Sequence, residues 1–385
     1  MPAISPALMP VSDSFRPCAH RFILQKFKRQ MGILTNAFET ERKEGGNDRR
    51  NKILVVMNAN PAAEAMVRML EVYYARDRED KYMQSHRPHI TIIDTVSPTE
   101  SRLQDWRPQG MEYIGNVEDD KSNGRIGLEF RNGRILKSPV GDDGTMRDAV
   151  ANFVPDSRGE ATSILWSKIV SSHATRGEYD VVLYPDTATR IASKVLALTS
   201  QGRGFTIPWQ CGTLVKIPNG PSNPFVSFLN LGAYVARPMK DLSDTEVTAY
   251  LNITHNRPLT SEQTPATVES DSTTVSIDSL MVNYISGLET SFPSIVATTG
   301  RTADKLDFPT VVEDKPACLV CSMPKQADNV KTWLDNITVK EPAAEMDSVE
   351  GPVVERAGLE DVTDLVCYGC YTLFRSSREV VRWPL

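Results

Sequence analysis

Two cysteine pairs near the C-terminus, Cys318-x-x-Cys321 and Cys367-x-x-Cys370, constrain this chain more than any other sequence feature. They hold four of its six cysteines. A C-x-x-C turn delivers two thiolates from one tight bend, and four thiolates complete a tetrahedral zinc site. The pairs therefore predict one metal site, with zinc as the expected ion. A [4Fe-4S] cluster also takes four cysteines and stays open, as do unrelated thiols or disulfides.

The segment between the two pairs is strongly acidic. From residue 340 to 364 it has eight acidic side chains against two basic ones, which accounts for the whole formal net charge of -6. With Pro342 and Pro352 inside it, this composition predicts a solvated loop. We therefore expect a zinc-ribbon-like metal module over residues 311–385 that carries an acidic loop at 340–364.

The N-terminal segment, residues 1–51, has the opposite charge. The first 52 residues contain ten basic side chains against five acidic ones. A basic segment can bind phosphates because it releases condensed counterions, whereas a solvated helix face is the alternative. Residues 1–15 have no basic side chain ahead of an apolar stretch, and no apolar run approaches the roughly 20 residues of a membrane helix. The sequence therefore predicts a cytoplasmic protein with reduced thiols.

The middle of the chain alternates strand and helix patterns. Predicted strands cover residues 52–57, 89–94, 111–114 and 179–184, and another begins at Tyr234; predicted helices cover 62–75, 161–171 and 277–288, and two more begin near Thr187 and Ser243. The last of these has capping-box spacing between Ser243 and Glu246. This alternation indicates an α/β domain with a parallel sheet over residues 52–310. Residues 116–160 lack periodicity and predict an insertion or a mobile loop, and residues 256–274 predict a linker or a loop.

The turn after the first predicted strand, Asn58-Ala-Asn-Pro-Ala-Ala63, lies where a parallel α/β sheet binds its ligands. It contains no glycine to let backbone amides approach a phosphate closely, and no acidic or lysine side chain to handle a metal or a nucleotide. Pro61 also removes one amide donor. The sequence therefore predicts a degenerate nucleotide loop.

Further motifs follow in order along the chain: Gly202–Trp209 (GRGFTIPW), Arg237–Leu242 (RPMKDL), Ile277–Leu288 followed by Phe292-Pro-Ser, Arg301–Leu306 (RTADKL), and the paired C-x-x-C. In this order they resemble the cytoplasmic tRNA 2-thiolation protein 2 family. The resemblance covers most of residues 179–371. It implies a PP-loop ATPase-like fold of the adenine nucleotide alpha hydrolase type.

The family also implies a function. Its members partner a catalytic PP-loop paralogue that binds ATP, and the pair converts the wobble uridine of lysine, glutamine and glutamate tRNAs to its 2-thio form. The sulfur comes from a ubiquitin-like thiocarboxylate carrier. Active PP-loop enzymes bind pyrophosphate with a Ser-Gly-Gly-x-Asp-Ser loop, which residues 57–63 lack. We therefore expect a non-catalytic subunit of a heterodimer. The alternatives are an autonomous ATP-dependent tRNA sulfurtransferase that uses Cys211 or the four paired cysteines, and a zinc-binding RNA or protein interaction module without a role in thiolation.

Basic residues inside the family motifs are candidates for contacts with tRNA phosphates: Arg203, Arg237, Lys240, Arg301 and Lys305. Each alone is more often a surface or helix-terminus charge. Trp209 and Phe205 are candidates for stacking on an unpaired base, but packing against the core is the favoured interpretation.

Two other cysteines lie outside the pairs. Members of the family usually have cysteine pairs near the N-terminus, whereas this chain has Cys18 with His20 two positions on. Two groups cannot close a tetrahedral site, so we interpret both as ordinary side chains of a basic helix. Cys211 has no adjacent histidine or second cysteine to lower its pKa, so it is predicted to be a buried structural thiol.

Overall fold

The computed structural model of the protein describes residues 16–45, 51–58, 60–75, 88–95, 108, 110–114, 126–131, 134–139, 150–151, 153–216, 234–255, 276–308, 317–325, 360–377 and 382–384. Within this part of the chain, no helix is both long enough and apolar enough to cross a membrane.

The strands, in chain order, are β1 (Lys52–Met57), β2 (His89–Asp94), β3 (Glu112–Ile114), β4 (Ile126–Arg131), β5 (Arg134–Pro139), β6 (Val181–Leu183), β7 (Leu214–Lys216), β8 (Tyr234–Ala236), β9 (Glu360–Asp361) and β10 (Arg382–Pro384). The helices are α1 (Arg16–Gly45), α2 (Pro61–Ala75), α3 (Pro155–Arg176), α4 (Ala188–Ser200), α5 (Ile207–Cys211), α6 (Asp244–His255), α7 (Ile277–Ser291), α8 (Pro293–Ala303) and α9 (Tyr368–Arg375). Short 3-10 turns cover Gly204–Thr206 and Thr363–Leu365.

The central sheet has the strand order β3-β2-β1-β6-β8-β7. All neighbouring strands are parallel except β7, which runs antiparallel to β8. The predicted α/β class with a parallel sheet is therefore confirmed. The order of strands reverses between β1 and β6, and a sheet of this kind forms its ligand crevice where the carboxyl ends of two such strands diverge.

Helices cover both faces of this sheet. Ile53 and Val55 of β1 are buried in one core with side chains of α1, α2 and α6. Leu54 and Val56 point to the opposite face, where they pack with Val170 and other apolar side chains of α3. Because both faces are covered, β1 has a continuous apolar sequence instead of an alternating one. The result is a three-layer α/β/α arrangement.

Two helix starts form as their sequences predict. Ser243 and Glu246 make a reciprocal capping box: the Ser243 N–H donates to Glu246 Oε2 at 3.1 Å, and the Glu246 N–H donates to Ser243 Oγ at 3.2 Å. Thr187 caps α4, with its Oγ1 accepting a hydrogen bond from the Arg190 N–H. The predicted helix 161–171 is longer than expected, because Pro155 at its first position suits a helix start within the predicted insertion.

Helix α1 lies within the predicted basic N-terminal segment, residues 1–51. The sequence predicts a separate segment here, and Phe27 and Met31 of α1 are fully buried in the same core as β1. Gln30 Nε2 also donates to Asp241 Oδ2 at 2.5 Å. Helix α1 is therefore part of the α/β body, since its apolar face needs the sheet layer to cover it.

A second, antiparallel sheet joins the predicted insertion to the predicted C-terminal module. Its strand order is β10-β4-β5-β9, so the β4–β5 hairpin from the predicted insertion pairs with two strands of the predicted metal module. Leu128 and Trp383, from the two segments, share a core with the four paired cysteines. The hairpin thus belongs with the metal module. Residues 256–275 and 340–359 lie outside the described residues, so the predicted loops there stay predictions.

Candidate metal centre

The four paired cysteines converge at one buried point. The sulfurs of Cys318, Cys321, Cys367 and Cys370 all lie within 4.8 Å of one another. The Sγ atoms of Cys321 and Cys367, one from each pair, are 3.8 Å apart. All four side chains are buried. In the part of the chain that the structure describes, this is the one group of three or more potential ligands.

Different local structures position the two pairs. The first lies in a tight turn, where the Ser322 N–H donates to the Cys318 carbonyl at 2.7 Å and the Cys318 N–H donates to the Met323 carbonyl at 2.9 Å. Ser322 has a φ of 58°, which is a left-handed conformation that closes this turn. In the second pair, Cys367 precedes α9 and Cys370 lies in its first turn. The Cys367 N–H donates to Cys318 Sγ at 3.2 Å, which joins the two pairs.

This arrangement fits a metal held by four thiolates. Zinc–sulfur bonds of about 2.3 Å in a tetrahedron place the sulfurs about 3.8 Å apart, which matches the spacing between Cys321 and Cys367. A cubane cluster attaches each thiolate to a different iron and needs the sulfurs farther apart, although the same four residues supply its ligands.

Burial and mutual hydrogen bonding affect the pKa values of three of the four thiols. Hydrogen bonding to Cys318 raises the pKa of Cys367, and burial raises the pKa of Cys370. Burial also opposes ionisation of Cys318, but hydrogen bonds from the neighbouring thiols outweigh it and lower the pKa of Cys318. These shifts have opposite signs, lowered for Cys318 and raised for Cys367 and Cys370. A metal ion bound here would supply positive charge, and metal ligation deprotonates a coordinating thiol.

Two basic side chains from the α/β body lie beside the cysteines. Arg203, which follows α4, donates from Nη1 to Cys370 Sγ at 3.2 Å and from Nε to Glu160 Oε1 at 2.5 Å. Lys168 of α3 donates from Nζ to the Leu319 carbonyl at 3.3 Å. Burial lowers the pKa of Lys168, and the nearby Cys318 opposes that shift. These residues place positive charge around an anionic site.

The turn after β1 lies at the carboxyl end of that strand, where a sheet of this kind binds its ligands, and its side chains accept hydrogen bonds from its own backbone amides. Asn58 Oδ1 accepts from the Asn60 N–H at 3.1 Å, and Asn60 Oδ1 accepts from the Ala62 N–H at 3.0 Å. These amides at the start of α2 are the donors that a phosphate-binding turn presents to its anion. Two of them are therefore already paired within the chain.

The five candidate RNA contacts have different surroundings. Arg203 and Arg237 are buried, and Arg237 pairs with Asp186 at 3.0 Å and donates to the Gly212 carbonyl at 2.6 Å. Lys240 is half-buried and pairs with Asp304 at 2.6 Å. Arg301 and Lys305 are exposed. RNA contact by these five residues stays a prediction. The two buried arginines, Arg203 and Arg237, bind partners inside the protein.

In the described ranges, the remaining candidates, Cys18, His20, Cys211 and Trp209, lie away from any shared site except the core around the paired cysteines. Cys18 is exposed and belongs to no ligand cluster among the described residues, and the ring of His20 stacks on Tyr250 with centroids 5.2 Å apart. Cys211 is buried, and burial raises its pKa. Trp209 is buried in the core that contains the cysteines.

The sequence did not reveal two neighbours of the metal centre, Glu160 and Lys168. Both come from α3, far from the cysteines along the chain, and reach the site only through tertiary packing. The motif that contains Arg203 marks it in sequence only as a candidate for RNA contact. Burial of arginine is rare and has no local signal in sequence, so its position beside the thiols could not be predicted.

Comparison with known proteins supports the family. The profile described as Cytoplasmic tRNA 2-thiolation protein 2 matches residues 276–372. A relative of that name from Phaeosphaeria nodorum is 32% identical over 297 residues, which cover 72% of this chain and 72% of the relative. This chain belongs to the cytoplasmic tRNA 2-thiolation protein 2 family.

Two other members of the family match over shorter stretches. The Schizosaccharomyces pombe protein is 29% identical over 230 residues, which cover 59% of this chain and 53% of that protein. The Pyrenophora tritici-repentis protein is 34% identical over 174 residues, which cover 44% of this chain and 42% of that protein. The chain thus spans about half the length or less of these two family members.

One solved structure matches over most of the chain at low identity. The U34-tRNA thiolase NcsA from Methanococcus maripaludis with its [4Fe-4S] cluster gives a TM-score of 0.46 at 14% identity, over 85% of this chain and 90% of that chain.

Proposed function

We propose that this chain acts in the 2-thiolation of cytoplasmic tRNA, as a subunit that does not activate the uridine itself. The observation that carries this proposal is its membership of the cytoplasmic tRNA 2-thiolation protein 2 family, through a match over 72% of both chains. The name of the family also supports a cytoplasmic location.

The turn after β1 supports the non-catalytic role. Uridine is adenylated by ATP, whose pyrophosphate needs free amides and close backbone approach at a helix N-terminus. In this chain Asn58 and Asn60 pair two of those amides, and Pro61 lacks the N–H. We infer a PP-loop-type fold with a degenerate loop, so that ATP binds to a catalytic paralogue in a heterodimer.

The proposed substrate is the wobble uridine of lysine, glutamine and glutamate tRNAs, with sulfur delivered by a ubiquitin-like thiocarboxylate carrier. The exposed side chains Arg301 and Lys305, at the end of α8 and just beyond it, are the proposed contacts with tRNA phosphates. Cys211 is not proposed as a sulfur carrier, because its burial disfavours the nucleophilic thiolate.

The proposed metal is zinc, and its proposed role is structural. The spacing of the sulfurs supports a single tetrahedral ion, and four protein ligands leave no open coordination position for substrate. The ion would hold the turn at Cys318, the start of α9 and the second sheet in one module. Analysis of the purified protein by mass spectrometry for zinc and iron distinguishes this ion from an iron–sulfur cluster.

Measurement of 2-thiouridine in tRNA tests the proposed function. Deletion of the gene should abolish 2-thiouridine at the wobble position, and re-expression of the full chain should restore it. Unchanged 2-thiouridine after deletion would leave only the interaction-module hypothesis. Thiolation by the purified chain without any partner protein would instead favour the autonomous sulfurtransferase.

A further inference from the structure

We propose that Arg203 is a positioning residue of the metal centre, which holds the second cysteine pair in place and links metal binding to the α/β body. Arg203 belongs to the Gly202–Trp209 motif, for which the proposed function gives no role. The inference rests on the metal centre and is independent of the role in thiolation.

The contacts of Arg203 lead from the α/β body to the thiols. Its Nη1 donates to Cys370 Sγ at 3.2 Å and lies 3.9 Å from Cys367 Sγ, so one nitrogen faces both sulfurs of the second pair. On the other side its Nε donates to Glu160 of α3 at 2.5 Å. The carboxylate fixes the direction of the guanidinium, because the planar fork has a rigid geometry.

The backbone of the second pair is shaped to admit this arginine. A Cβ atom on Gly369, between the two cysteines, would lie 2.5 Å from Arg203 Cγ. A Cβ atom on Gly202 would lie 2.9 Å from the ring of Tyr368, and Gly202 has a φ of 71°. Two glycines on opposite sides of one contact thus allow the arginine loop and the cysteine turn to approach closely.

The positive charge of Arg203 offsets the negative charge of the metal centre. Four thiolates around a divalent cation carry a net charge of about -2, and burial makes such a charge costly unless positive groups neutralise it. Arg203 is only 2% exposed, and its Nη2 has no hydrogen-bond partner within the described structure. Burial of a guanidinium with an unpaired nitrogen lowers the stability of the fold. Its proximity to the thiolates offsets that cost and steadies the ligands.

The alternative is that Arg203 and Glu160 form an ordinary buried ion pair that happens to lie near the cysteines. Stability measurements do not separate the two cases, because both lose stability when the arginine is removed. The electronic spectrum of the bound metal does separate them. A hydrogen bond withdraws charge from a thiolate, so its loss shifts the sulfur-to-metal charge-transfer band of bound Co²⁺ to lower energy.

The experiment uses the full chain loaded with Co²⁺ or Zn²⁺ and the variants Arg203→Met and Glu160→Gln. Arg134→Met serves as the matched control, since Arg134 pairs with Asp361 at 3.1 Å in the same module but is mostly exposed. We expect Arg203→Met to shift the Co²⁺ band to lower energy and to speed transfer of Zn²⁺ to a chelator by about 10–100-fold. Glu160→Gln should move both readouts in the same direction by less, and the control should match the parent.

Two results would overturn the proposal. One is a parent chain that takes up no Co²⁺. The other is a Co²⁺ spectrum and a Zn²⁺ transfer rate that equal those of the parent in the variants, even if their melting temperature falls. If Arg203→Met does not fold, Glu160→Gln, which retains the arginine, decides the question by the same two readouts.

Discussion

Glu289 of α7 connects three helices, α4, α6 and α7, through its carboxylate. Its carboxylate is buried, and Oε2 accepts from Thr189 Oγ1 at 2.5 Å, whereas Oε1 accepts from the N–H and the Oγ1 of Thr245 at 3.0 and 2.7 Å. It thereby ties α7 to the starts of α4 and α6. A hydrogen bond to a charged group contributes about 1.5–3 kcal/mol, against about 1 kcal/mol for a neutral one. Glu289→Gln keeps one acceptor oxygen and should lower the free energy of unfolding by about 2–3 kcal/mol.

The pH dependence of this loss has a definite sign. Burial raises the pKa of Glu289, but the hydrogen bonds from Thr189 and Thr245 outweigh burial and lower the pKa below its ordinary value of 4.5. A lowered pKa gives stability that is complete above the pKa of the unfolded chain and is lost as the pH falls through the folded value. The gap between parent and Glu289→Gln should therefore be full at pH 7 and shrink below about pH 4.5.

Urea denaturation of both proteins at a series of pH values measures this gap. Glu112→Gln is the matched control, since Glu112 is exposed and lies 3.6 Å from an exposed His89, and it should change stability by less than about 0.5 kcal/mol. Equal urea midpoints for Glu289→Gln and the parent at pH 7 would refute the reasoning. So would a gap that stays constant as the carboxylate is protonated.

Three further predictions concern the metal centre and the turn after β1. Cys367→Ser should release the metal and unfold the surrounding module, whereas Cys18→Ser should retain the parent's metal content; equal metal in both variants would contradict a four-thiolate site. Gly369→Ala should destabilise the protein by about 1–3 kcal/mol, because its Cβ would clash with Arg203; an unchanged urea midpoint would disprove the close contact. Asn60→Ala should cost about 1 kcal/mol through loss of the α2 cap without creating ATP binding, which urea titration and calorimetry with ATP can check.

The central part of the fold could be predicted from sequence because its signals are local. The strands predicted at 52–57 and 89–94 are β1 and β2, and apolar runs bounded by polar residues were sufficient to define them. The second sheet could not be predicted. Its hairpin at 126–139 pairs with residues at 360–361 and 382–384, and pairing across more than 200 residues leaves no periodic signal in short strands.

At the candidate metal centre, the ligands could be predicted from sequence but the groups around them could not. The spacing of the cysteines identified Cys318, Cys321, Cys367 and Cys370 as one cluster, and their convergence within 4.8 Å confirms it. The groups that surround the thiols come from α3 and the end of α4. Their role depends on how the helices pack against the metal module, so no local pattern marks them.

The central claim is that the chain serves thiolation without activating uridine itself, and ATP–pyrophosphate exchange tests it most directly. The purified full chain, supplied with ATP, labelled pyrophosphate and unmodified tRNA, should catalyse no exchange above a protein-free control. Addition of a PP-loop partner with an intact glycine loop should produce exchange. Robust exchange by the chain alone, at a rate that scales with its concentration, would contradict the account.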